Sequence, residues 1–441
     1  MISVENTKEV FKETLSKSEN PTQVILSGGK QQLARIGKNT VYQNMLNKEY
    51  TLKVQVADYK KVGNASTNRF YGEDVEKAIH NATFIARHQA QDPDWEGFLN
   101  VDDEIVDDKF YCKDTMDSCF EEKLEELNEI FIDAKQKNVE IAGAFSHGDS
   151  ISAIGNQNGM FRYHVNTDCD FTFSIMTPNG GTGWSEFHSH RLADINPKEL
   201  YRVSLEKALL SENPIEIDGG EYTVILEPPA VQSLLFFLGY AGFGGLGVQE
   251  KRSFFSEKFG EKVFGDNISI SDNFAFDQSF GAPFDYDGIR KSSLNIMDKG
   301  VFNTPVFDRV TARKMNKVDT GHALPYPSRS GPLPLNLCLS GGESSVDEMV
   351  KSTKKGILVT RFFYDNLIDP GQLTLTGMTR DGTFLIEDGK LVSGIKNMRY
   401  NESLPRIFNS IIALSKQCWS LRGFGRLSVP AIKVEGFSFS S

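Results

Sequence analysis

The sequence predicts an α+β fold: an α/β N-terminal domain, a middle β-meander with flanking helices, and a C-terminal domain rich in antiparallel β. Three observations carry this. Helical apolar spacing is confined to a few stretches, alternating β-branched runs broken by Gly turns dominate after residue 139, and no solenoid period recurs. With 441 residues, length alone implies two or three domains, placed at 1–100, 101–216 and 217–441.

Asn6 to Ser18 reads as a helix with Val10, Phe11 and Leu15 on one stripe. Strands follow at Gln23–Ser27 and Tyr50–Ala57, then a helix over Gly72–Arg87 whose apolar face holds Val75, Ala78, Ile79, Ala82 and Ala86. Residues 92–129 are strongly acidic. The first part lacks periodicity and reads as a solvated linker. In the second part Ser118 and Glu121 form a capping-box pattern ahead of Leu124, Leu127, Phe131 and Ala134. Val139 to Leu192 is a strand meander with hairpin signals at Asn158-Gly159 and Asn179-Gly-Gly. Asn196-Pro197 opens a capped helix. The last block has a strand at Tyr222–Leu226, an apolar helix near Val231–Tyr240, and tight turns at Asp381-Gly382 and Asp388-Gly389. A proline-stiffened loop spans Pro325–Pro334.

Charge narrows the function classes. The formal net charge is −11, and residues 92–129, with 15 acids against 3 lysines, account for −12 of it. The remainder is close to neutral, so no basic field is available to hold nucleic acid. The longest uncharged window, Glu227 to Glu250, holds two prolines and five glycines, a poor membrane span. The mixed, charged opening does not read as a signal peptide. Five cysteines without a CxxC pair fit free thiols, and a cytoplasmic location is expected.

Glu186, His188 and His190 are the most metal-like cluster, because a strand's period of two puts all three on one face, and two imidazoles with a carboxylate suit zinc. The same spacing describes the solvent face of a half-buried strand with Phe187 turned inward. His147, Asp149 and Ser150 crowd one short stretch and cannot all converge on a reacting atom, so they read as a polar loop. His322 stands alone in a loop, Cys338 lies among leucines, and Cys418 adjoins Trp419. Asp102, Asp103, Glu104, Asp107 and Asp108 lack the glycine turn of a calcium loop. Gly242, Gly244 and Gly247 match GxGxxG but follow a helix instead of a strand, which fits a helix end better than a dinucleotide site.

Ordered segments in the last block resemble the TldD/PmbA family, also called modulators of DNA gyrase. They are Glu221-Tyr-Thr-Val-Ile-Leu-Glu-Pro-Pro, Arg252-Ser-Phe-Phe-Ser-Glu-Lys-Phe-Gly, Phe284-Asp-Tyr-Asp-Gly, Asp319-Thr-Gly, Lys355-Gly-Ile-Leu-Val and Thr383-Phe-Leu-Ile-Glu-Asp-Gly-Lys. Upstream, Gly63-Asn-Ala-Ser-Thr and the helix at Asp74–Ala86 are similar too, so the resemblance covers nearly the whole chain. It implies the following. The TldD branch is a zinc metallopeptidase with a helical His-Glu-x-x-x-His motif just after the apolar Leu-Leu, and a cysteine ligand near the C-terminus. Here Leu234-Leu235 is followed by Phe236, Phe237 and Ala241 at the motif positions, while Cys418 lies in a comparable later stretch. The chain therefore resembles the PmbA (TldE) branch. The expectation is a non-catalytic subunit without a catalytic residue or bound cofactor of its own, binding unfolded or extended polypeptide. Its partner is a TldD-like catalytic subunit or a second copy in a dimer. Zinc enters through that partner or, in the alternative reading of the chain as an autonomous metal-dependent peptidase, through a relocated site at Glu186, His188 and His190, with Cys418 a further metal candidate. A structural peptide-binding homodimer fits the same sequence.

Overall fold

The structure, a computed structural model, describes residues 2–118, 120–423 and 425–440, less the side chains of 120–124 and 422–423. In chain order the first part holds α1 (Val4–Ser16), β1 (Thr22–Gly37), β2 (Thr40–Asp58), β3 (Lys61–Thr67), α2 (Glu73–His88), β4 (Glu104–Phe110), α3 (Lys113–Asp117), α4 (Phe120–Gln136), β5 (Glu140–Asn156), β6 (Phe161–Met176), β7 (Thr182–Ser189) and α5 (Pro197–Leu210). The second part holds β8 (Gly220–Leu226), α6 (Pro228–Gly242), α7 (Gly245–Gln249), β9 (Ile270–Asp272), β10 (Leu294–Asp298), β11 (Val301–Phe302), α8 (Arg309–Lys314), β12 (Leu337–Leu339), α9 (Val346–Lys351), β13 (Lys355–Asp369), β14 (Thr374–Glu387), β15 (Lys390–Gly394), β16 (Arg399–Ser403), α10 (Leu404–Asn409), β17 (Ile411–Gly423) and β18 (Gly425–Ser440). The α+β class follows directly.

Seven strands form the first sheet, in the order β3-β2-β1-β5-β6-β4, with β7 on the other half of β6. This sheet crosses residue 100, where a domain boundary was expected, because β1 pairs antiparallel with β5 from Gln23↔Asn156 to Ile36↔Gly143. β1 and β2 extend well past the apolar runs visible in sequence, into a polar hairpin that closes at Lys38 and Asn39. One face of β5 and β6 is apolar: Ile141, Phe145, Ile151, Ala153, Phe161, Tyr163, Val165, Phe171, Phe173 and Ile175 are buried there. α1 and α2 cover one end of that face through Val10, Phe11, Val75 and Ala82, and α4 and α5 cover the other through Leu127, Phe131, Leu200 and Leu205. α5 starts where Asn196 accepts a hydrogen bond from Glu199 N and Pro197 takes the first turn.

The second sheet has eleven strands and begins at Gly220. Five of them close on themselves: β8 pairs β13, β13 pairs β14, β14 pairs β16, β16 pairs β18 and β18 returns to β8. α6 packs into this unit, with Val231, Leu234, Leu235 and Leu238 all at 0% exposure. Its apolar length therefore serves a globular core, and among the described residues no helix is long and apolar enough to cross a membrane.

Two local expectations change. Asp381-Gly382 does not join two strands. Both residues have positive φ and lie inside β14, at the bulge where pairing with β13 slips past Thr360. Asp388-Gly389 does turn from β14 into β15. The acidic stretch is not a free linker: Glu104–Phe110 is β4, parallel to β6, and residues 92–97 are fastened to α8. Lys314 Nζ lies 2.5 Å from Asp94, Arg309 Nε 3.5 Å from Glu96, and Arg313 pairs with both acids. The acids cross to the second unit because its basic helix end is their partner. The capping box expected of Ser118 and Glu121 involves a side chain outside the described ones; Ser118 itself donates to Asp114 O at 2.5 Å.

Candidate functional site

Helix α6 is the first place to look, since the resemblance puts a metal motif there. Phe236, Phe237 and Ala241 are partly buried and pack against the main core of the second unit. The Phe236 ring centroid lies 5.0 Å from that of Phe237, and 6.0 Å from that of Tyr240 in a stacked arrangement. Hydrocarbon and aromatic rings offer a zinc ion no donor, so these positions do not fit the metal. Cys418, on β17, is half-buried with its Sγ 3.9 Å from Leu339 O, and burial pushes the thiol above its ordinary range. A thiol held protonated is a poor ligand. Cys338 is pushed up to about 12, chiefly by burial.

The ionisable side chains gather elsewhere, on the second face of β6. Its even-numbered residues, Arg162, His164, Asn166, Asp168 and Asp170, alternate with the apolar set and face the second unit. β7 pairs with β6 at Thr172↔Glu186 and Asp170↔His188, which adds Glu186 and His188 to the same face. That face is a buried seam and not the solvent face that alternation also allowed. His188 is 3% exposed and His190 8%, because β14 and β17 lie across β7.

Within the seam each group has a defined neighbour. His188 Nε2 lies 3.3 Å from Asp168 Oδ2 and its Nδ1 lies 3.4 Å from Ser420 Oγ. Arg426 also binds Asp168 Oδ2, and its guanidinium stacks 4.8 Å from the Phe280 ring centroid. Burial holds His188 below its usual range, and the hydrogen bond to Asp168 only partly offsets it. Glu186 is pushed up to about 7, first by burial and then by the like charge of Asp170, against the pull of Arg361. Arg361 itself pairs with Asp381 and lies 4.0 Å over the Trp184 ring. His190 stands beyond the end of β7, between the Phe110 and Phe280 rings, and is held low by burial. Among the described residues no group of three or more His, Cys, Asp or Glu side chains is placed to hold a metal ion. Glu186, His188, His190 and Cys418 are therefore not brought together as a ligand set.

The remaining candidates are distributed in pairs. His147 and Asp149 lie on β5, an interior strand, and not in a loop; Asp149 Oδ1 accepts from Lys30 N at 2.7 Å, and burial lowers His147. Among the acids once weighed for calcium, Asp103 binds Arg162, Glu104 binds Lys8 at 2.7 Å and Asp107 binds His164 at 2.7 Å. His322 is buried, with Nδ1 2.9 Å from Thr320 Oγ1 and Nε2 3.3 Å from Asp272 Oδ1. Burial alone would raise Asp272, but His322, Lys291 and the amide of Asn336 together bring it below its ordinary range.

Between the β6 stripe and the second unit lies a cavity of about 200 Å³. His164 and Asn166 border it from the first sheet, and Phe284, Lys291, His322 and Asn336 from the second. Sequence reading passed over Lys291, Asp168 and Asn336. For Asp168 the available signal was the polar alternation of Arg162 to Asp170, which marks a second buried face once a partner covers it.

Comparison with known proteins agrees with this architecture. The PmbA/TldA metallopeptidase C-terminal domain model matches residues 219–441. The chain is similar to metalloprotease PmbA of Escherichia coli O157:H7, 22% identical over 420 residues that cover 91% of this chain and 90% of that one. Its fold is similar to TldE from Thermococcus kodakarensis, with TM-score 0.87, 16% identity, and 99% and 100% of the two chains covered. A Thermotoga maritima protein named as a modulator of a DNA gyrase superposes with TM-score 0.87 at 18% identity, covering 98% and 100%.

Proposed function

The chain belongs to the PmbA/TldD metallopeptidase family, and we propose that within it this protein is a non-catalytic, PmbA/TldE-like subunit that binds extended polypeptide. One observation carries the reading: Phe236, Phe237 and Ala241 occupy the motif positions on α6 and pack into the core. Water activation at a helical zinc site needs two imidazoles and a carboxylate base. None of the three positions supplies one. In this reading a TldD-like catalytic subunit cleaves the polypeptide, in the cytoplasm, and this chain positions it; self-association is the alternative assembly. The fold likeness to TldE supports the branch. The free thiols Cys112, Cys169, Cys338 and Cys418 suit a reducing compartment.

The test is direct. Purified chain, dialysed against zinc and freed of excess, is expected to hold well under one zinc per protomer and to leave unfolded casein intact. Stoichiometric zinc together with cleavage, both lost on chelation, overturns the reading. Retention of those two properties by a Phe236→Ala, Phe237→Ala variant would place the chemistry away from α6.

A further inference from the structure

The family-like segment at Phe284-Asp-Tyr and His322, which directly follows the Asp319-Thr-Gly segment, meet at the cavity between the sheets, and the role proposed above leaves that cavity unused. A single water needs only about 10–15 Å³, so a space of about 200 Å³ admits an organic group. Its walls are apolar at Phe280, Phe284 and Leu335.

Lys291 supplies a buried ammonium there that no carboxylate among the described residues contacts directly; it acts on Asp272 only through space. It follows the turn closed by the Phe284↔Arg290 bridge, and its amide donates to Pro283 O at 2.9 Å, which fixes the start of the side chain. The residue is 8% exposed, yet its ammonium makes a single long hydrogen bond, 3.5 Å to Asn336 Oδ1, and no ion pair among the described residues. The nearby acids are engaged. Asp272 is paired with His322 and accepts from Asn336 N at 2.8 Å. Asp285 accepts from the amides of Asp287, Ile289 and Ala323. Arg426 is matched to Asp168. An ammonium out of water with two N–H groups to spare is costly unless a ligand completes it. Across the cavity Ser152, whose hydroxyl makes no hydrogen bond among the described residues, offers a second donor.

We propose that this cavity is a carboxylate site, in which Lys291 and Ser152 receive the C-terminal carboxylate of an extended polypeptide and the apolar walls receive its last side chain. One ammonium without a contacting carboxylate matches a monoanion better than a phosphate dianion, and the walls match an apolar terminal residue. The inference rests on the polypeptide-binding role proposed above.

The experiment is fluorescence anisotropy on the full chain with an unstructured, N-terminally fluorescein-labelled octapeptide ending in leucine. It is run as the free acid and as the C-terminal amide, with N-acetyl-leucine as a small-carboxylate competitor. A charge-assisted contact of this kind predicts that the acid binds about tenfold or more tighter than the amide. Lys291→Gln should abolish that preference by weakening the acid far more than the amide, and Lys291→Arg should keep most of it. Circular dichroism and a thermal melt report whether each variant is folded, and the acid-versus-amide comparison on the unaltered chain decides the matter without them. Equal binding of acid and amide overturns the carboxylate site and leaves polypeptide binding standing. If neither peptide binds, the polypeptide-binding role itself fails. N-acetyl-leucine binding as tightly as the peptide acid, and dependent on Lys291, overturns the polypeptide as the source of the carboxylate.

Discussion

Helix α6 and the β6–β7 seam are both buried, and they are buried by opposite means. α6 removes Val231, Leu234, Leu235 and Leu238 from water with no Asp, Glu, Lys, Arg or His in its length. Its stability comes from apolar transfer and close packing, which are insensitive to pH. The seam buries Asp168 and His188 and partly buries Asp170, Glu186 and Arg426, and each of these polar groups needs a neighbour. Desolvation then sets the protonation states. One region should respond to volume, the other to charge and pH. Family chemistry is expected on the first region, yet the groups capable of chemistry lie in the second.

Substitutions in each region test the contrast, beginning with the largest effect. Leu234→Ala, at 0% exposure, should cost about 2–5 kcal/mol. The loss, measured by urea unfolding, should be the same at pH 5.5 and pH 8. Asp168→Ala leaves Arg426 and His188 without their shared carboxylate and should cost about 2–4 kcal/mol; a double-mutant cycle with Arg426→Met should recover part of that loss.

Glu186 gives the pH test. Its folded-state value of about 7 lies above the ordinary 4.5, so it adds stability fully present below about 4.5 and lost as pH rises through about 7. Glu186→Gln should remove that decline, worth roughly 1–3 kcal/mol, in melts taken from pH 4.5 to 8. His188 acts in the opposite sense: its folded-state value is depressed, so its contribution is present above its ordinary 6.5 and lost as pH falls. A wild-type profile that is flat across this window would remove the distinction between seam and helix. The smallest effect is expected where acids meet α8 at the surface. Arg313→Ala should cost about 0.2–1 kcal/mol and the difference should vanish in 1 M salt.

Sequence legibility followed the same division. α2 and α6 were readable because their apolar residues recur at helical spacing, and a helix face needs only local information. The Asn196 cap and the turns at Gly159 and Gly389 were readable for the same reason. The polar hairpin of β1 and β2 was not, because it owes its strands to pairing with β5, more than a hundred residues away. Glu186 and His188 alternate equally well on a wet face and on a covered one, and only β14 and β17 decide which. Lys291 carried no local signal at all; its isolation arises from what Asp272, Asp285 and Arg426 have already bound. The acidic stretch read as spacing because its cationic partners on α8 lie about two hundred residues later.

The ring of five strands also dictates an order of events. β8 is joined to β18 by pairs such as Leu226↔Ile432, roughly two hundred residues apart in sequence. A contact of that separation forms late, since the loop it closes is long and its entropy must be lost before the contact rewards it. Until β18 arrives, β8 has β13 on one side only and α6 lacks one of the strands it packs on. A nascent chain emerging from the ribosome therefore carries an exposed, uncharged helix while roughly two hundred further residues are made. That interval is when a chaperone has the most apolar surface to recognise.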